Sequence, residues 1–176
     1  MSRFLITTLL AIVFCVPAQD NFTLTEIIRD YNRAKNETTL RLVPTQISGP
    51  KDRYHSLTYS LYYSYPGEDP KPPADVNFEL VSVVKAQQLN TDLYVVFLVD
   101  GKEIHYSSNR SAIKKSVRGK PWIGERMIFT IPREEFMKMA AAEKLGVKLG
   151  GVSFEFNEPA RAGLRSFAET IRVLNP

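Results

Sequence analysis

Cysteine is all but missing from this 176-residue chain. Its one copy, Cys15, lies in the opening apolar stretch, so everything after it is free of thiols and can form no internal disulfide. Small domains sent to oxidising compartments often lean on such bridges, whereas this one has to stand on its hydrophobic core. Histidine is equally scarce. With only His55 and His105, a zinc site would need carboxylates to complete its three or four ligands. No phosphate loop, dinucleotide fingerprint, nucleophile elbow, zincin helix or calcium loop can be read, which removes the enzyme classes recognised by those motifs and leaves no cofactor and no metal to expect. No self-similar period of repeat-protein length is found either.

What is present starts with a leader. Arg3 gives a short positive region, and Phe4 to Val16 runs for 13 residues without charge. Val16-Pro17-Ala18 then offers short side chains where a signal peptidase cuts. The run falls short of the roughly 20 residues that span a bilayer, which favours a cleaved signal peptide over a permanent anchor. Cys15 follows the bulky Phe14, which argues against a lipoprotein. The expectation is a signal peptide over residues 1–18, cleavage after Ala18, and a single domain over 19–176 in the periplasm or outside the cell. Sequons at Asn21, Asn36 and Asn109 matter only in a eukaryotic secretory pathway.

Hydrophobic residues at 44% and charged residues at 24% are the globular balance, which argues against wholesale disorder. Charge is unevenly spread. The chain carries a formal +4, and Arg110 to Lys120 alone holds Arg110, Lys114, Lys115, Arg118 and Lys120 with no acid. The positive excess is therefore a local field, and the protein is not basic throughout.

Leu24, Ile27, Ile28 and Tyr31 sit at helical spacing, so Leu24 to Lys35 reads as a short amphipathic helix. Thr39 to Ile47 reads as a strand broken by Pro44. From Tyr54 to Tyr65, Leu57, Tyr59, Leu61, Tyr63 and Tyr65 alternate with Ser56, Thr58, Ser60, Tyr62 and Ser64, a period of two that sends the sets to opposite faces of a sheet. Phe78 to Lys85 and Leu93 to Val99 are further strands. Asp100-Gly101 then joins the second of these to Lys102–Ser107 through a hairpin. Trp122 to Ile131 is another strand, and Pro132 opens a helix with Phe136, Met139 and Ala140 on its core face. Gly150-Gly151 joins a last hairpin, and Asn157 caps a helix striped by Leu164, Phe167, Ala168, Ile171 and Leu174. The pattern predicts an α+β fold: an antiparallel sheet or β-sandwich of about 7–8 strands, with a short N-terminal helix, one internal helix and a C-terminal amphipathic helix packed on it.

Two sets of residues suggest binding. Arg110, Lys114, Lys115, Arg118 and Lys120 could hold phosphates or other anions, with Trp122 beside them, although a solvated loop with Trp122 in the core accounts for them too. Tyr54 and Tyr62 fall on the polar side of their strand, where exposed aromatics stack on sugars or serve an interface. Glu103 and His105, two apart on one strand, allow a metal pair or a base with its orienter, but equally an ordinary surface pair. The sequence therefore points to an exported non-catalytic binding or structural domain. Its partner would be an anionic envelope lipid or polysaccharide, or another envelope protein, and export disfavours nucleic acid. The alternative is a hydrolase-like envelope enzyme built on Glu103 and His105.

Overall fold

The alternation over Tyr54–Tyr65 becomes strand β4, Ser56–Pro66, on which Leu57, Tyr59, Leu61, Tyr63 and Tyr65 are all buried. The computed structural model describes the backbone over residues 26–47, 56–84, 94–107, 109–117, 120–149 and 152–174, and side chains over 26–47, 57–82, 94–107, 125–149 and 153–174. The leader and Tyr54 lie outside the described residues.

Around β4, a seven-stranded antiparallel sheet runs in the order β1-β2-β4-β5-β9-β8. Its members are β1 (Ile27–Asn32), β2 (Glu37–Leu42), β5 (Asp75–Val84), β8 (Asn109–Val117) and β9 (Lys120–Pro132). The two-residue β3 (Thr45–Gln46) also pairs with β4. Pro44, which cannot donate to a ladder, sits in the break between β2 and β3, as its chemistry requires. A second, four-stranded sheet follows the order β11-β10-β6-β7, from β6 (Tyr94–Val99), β7 (Lys102–Ser107), β10 (Leu145–Leu149) and β11 (Val152–Glu155). Asp100 and Gly101 take φ of +49° and +84° between β6 and β7, the positive values a tight hairpin turn needs.

The core fills the space between the sheets. Phe78 on β5 stacks on Phe129 at 5.2 Å and meets Phe97 of the small sheet edge-on at 5.2 Å. Phe156 closes the cluster against Tyr59 at 5.3 Å. Helices α1 (Arg133–Ala141) and α2 (Glu158–Val173) touch each other and the large sheet. Phe136, Met139 and Ala140 are the buried face of α1; on α2, Leu164, Phe167, Ala168 and Ile171 are buried. Asn157 accepts from the Ala160 N–H at 3.0 Å and so caps α2, while the Tyr59 hydroxyl donates to the Ala160 carbonyl at 2.5 Å and ties that helix to β4.

Three expectations need correction. The segment read as an N-terminal helix is strand β1, because Ile27, Ile28 and Tyr31 fit a strand as well as a helix and β2 supplies a ladder from Ile27↔Leu42 to Asn32↔Glu37. Strands number eleven among the described residues, not 7–8, since β1, the short β3 and the basic β8 add to those foreseen. The basic stretch is a strand and not a loop: it pairs with β9 from Asn109↔Ile128 to Val117↔Lys120.

Candidate functional site

The basic strand β8 is the edge of the large sheet. Among the described residues, β5 follows β9 only as far as Val84↔Ile123, whereas β8 and β9 stay paired through Lys115↔Trp122, Ser116↔Pro121 and Val117↔Lys120. Lys115 pairs with Trp122, and Lys120 with Val117. Arg118 falls between the two strands and outside the described residues. By register, positions 110 and 114 of β8 pair with Met127 and Ile123 of β9. Lysines on an exposed edge also discourage pairing with foreign strands.

Tyr62 lies on the outward face of the large sheet, as its position in β4 implies. It is half-buried because the Arg41 guanidinium sits 4.7 Å from its ring centroid. Arg41 comes from β2 through the register pair Arg41↔Tyr62. On the same face Glu79 of β5 accepts from Arg126 Nε of β9 at 2.5 Å, from Arg41 at 3.4 Å and from the Ser60 hydroxyl at 3.3 Å. The Glu79 side chain is only 11% exposed. Burial alone would raise its carboxyl, but the Arg126 hydrogen bond and the charges of Arg126 and Arg41 outweigh that and hold it below the ordinary carboxylate range. Nothing in the residue pattern pointed to this cluster beyond Glu79 alternating with the buried Phe78 and Leu80.

The Glu103–His105 pair lies on the outward face of the small sheet. His105 Nε2 is 3.6 Å from Glu103, but Lys148 of β10 donates directly to Glu103. Lys148 is the chief reason the Glu103 carboxyl lies below its ordinary value. An acid held ionised on an open face is a poor proton donor, and its lysine partner competes with any role in orienting His105. No three His, Cys, Asp or Glu among the described residues stand close enough to hold a metal. Glu134 and Glu135 are in the first turn of α1, where acids complement the helix dipole, and Glu135 also accepts from the Tyr106 hydroxyl.

Beside these charges, Gly146 leaves a hollow of about 400 Å³ on the small sheet, with Leu98 and Glu155 on its walls. No helix among the described residues is long and apolar enough to cross a membrane. Compared with known proteins, the chain matches no family model, no curated protein and no solved structure.

Proposed function

We propose that this chain is an exported, non-catalytic binding domain that holds an anionic component of the cell envelope through the basic β8–β9 hairpin. The observation that carries the reading is the edge pairing: β8, at the end of the large sheet's strand order, pairs with β9 from Asn109↔Ile128 to Val117↔Lys120, in the stretch where Arg110 to Lys120 gathers five cations and no acid. A basic edge of that kind suits an extended anionic surface, where each lysine or arginine adds about 1 kcal/mol near anionic lipid and the attraction weakens with salt. Export rests on the charge, apolar run and small-residue site of residues 1–18.

Co-sedimentation with anionic and zwitterionic vesicles, at low and physiological salt, tests the hairpin. The wild-type chain binds the anionic vesicles and releases them as salt rises, and replacing Lys114, Lys115 and Arg118 with Ala abolishes binding. Unchanged binding by that variant, or equal binding to zwitterionic vesicles, removes the hairpin from the account. Export is tested separately by intact-mass analysis of native material, where a chain beginning near Gln19 is expected and a retained Met1 contradicts it.

A further inference from the structure

On the small sheet, the face turned away from the core holds a hollow walled by two charges of opposite sign. We infer that this hollow, at Gly146, binds a small zwitterion, an α-amino acid with an aliphatic side chain, between Lys144 and Glu155. Strand β10 runs between β6 and β11, so Gly146 has Leu98 opposite it on one side and Glu155 opposite it on the other. Glycine keeps the place open. A Cβ here would stand 3.1 Å from the Phe154 carbonyl oxygen and 3.5 Å from the Leu98 side chain, tighter than ordinary packing. The hollow measures about 400 Å³, within the range of small-ligand sites, and Lys144 and Glu155 are the only charged residues among its walls.

Those two charges are unsatisfied. Lys144 and Glu155 line the same hollow, yet no ion pair joins them, and neither head has another partner among the described residues. The main chain of Lys144 is nevertheless fixed, since its N–H donates to Asp100 Oδ1 at 2.8 Å and its carbonyl accepts from the Asp100 N–H at 2.9 Å. The surrounding charges impose no strong bias: Glu103 is tied to Lys148, Asp100 takes the Lys144 N–H, and Lys102 offsets Glu143. An ion of a single sign entering the hollow would meet one wall charge of its own sign. A zwitterion meets neither conflict. Its ammonium donates to the Glu155 carboxylate and its carboxylate accepts from the Lys144 ammonium, both charge-assisted hydrogen bonds. The missing Cβ of Gly146 lets the α-carbon approach the sheet, and half-buried Leu98 offers an apolar rest for the ligand's side chain.

Leucine is the probe, with leucinamide, which lacks the carboxylate, and N-acetylleucine, which lacks the ammonium, as controls. Binding is read by calorimetry and by the amide resonances of Gly146 and Ser153. Leucine binds, and each blocked form binds at least about tenfold more weakly, the scale of losing one charge-assisted hydrogen bond. Glu155→Gln and Lys144→Gln each weaken leucine by a similar factor; both side chains are exposed, so the variants stay folded. A cycle separates charge recognition from a structural effect. Glu155→Gln leaves the affinity for N-acetylleucine unchanged, and Lys144→Gln leaves that for leucinamide unchanged, because the contact removed is one those forms never make. Leucine binding no tighter than leucinamide, full affinity in either variant, or no shift at Gly146 with millimolar leucine overturns the proposal. Anionic vesicle binding is expected to be unaffected by both substitutions, so failure here and failure of the hairpin reading are told apart.

Discussion

Glu79 and Glu103 are both strand carboxylates on outward sheet faces, and both are paired with cations, yet they sit in different physical regimes. Glu79 is 11% exposed and joins three partners from three strands, whereas Glu103 is 47% exposed and has one close lysine, reaching it from β10 across β6. The difference follows from what lies next to each. On the wide sheet Glu79 is flanked by β4 and β9, so long side chains close over it. Glu103 is on β7, at the edge of the narrow sheet, and water reaches it from the open side. Pairing alone therefore does not order a cluster; a shielded anchor is what fixes the arginines around Glu79.

The scale for this comparison is set by the core behind both faces. Phe78→Ala removes the ring shared by Phe97, Phe129 and Tyr59, and chemical denaturation is expected to report a loss of about 3–5 kcal/mol. A loss under about 1 kcal/mol would mean that the two sheets do not share this core. Next comes Glu79→Ala, expected to lower stability by about 1–3 kcal/mol, because two partly shielded guanidiniums and the buried Ser60 hydroxyl lose their acceptor. Glu79 also sets an acid limb. Its folded value is depressed, so its contribution is complete above the ordinary carboxylate value of 4.5 and is lost as pH falls through the lower folded value. Melting temperature followed from pH 6 to pH 3 should show this limb, and Glu79→Gln should flatten it while Glu103→Gln leaves it in place. Smallest of all is Glu103→Ala, expected to leave stability in chemical denaturation essentially unchanged, as for other exposed pairs. A larger effect there would erase the distinction between the two faces.

These differences also mark what could be read from the chain before its structure. Periodicity and turn chemistry act locally, and they located β4 through its alternating tyrosines, the Asp100-Gly101 turn, the Pro132 helix start with Phe136 and Met139 inside, and the Asn157 cap. Ile27 to Asn32 misled because two adjacent isoleucines and a tyrosine satisfy either period, and the deciding partner, Leu42 at the far end of β2, enters only through long-range pairing. Lys114 and Lys115 concealed a strand for the same reason, since edge strands carry charge and look like loops. The Arg41–Glu79–Arg126 cluster joins residues 38 and 47 positions apart, and only the register of four strands brings them together. Tyr62 was legible as an outward aromatic, but its arginine cover was not.

Hydrogen–deuterium exchange, measured with and without anionic vesicles at low salt, tests most directly whether the large sheet's basic edge is where the partner docks. Slowed exchange is expected over residues 109–117 and 120–124, with β7 and β10–β11 unchanged. Protection confined to the small sheet, or vesicle binding with no change in the hairpin, would contradict it.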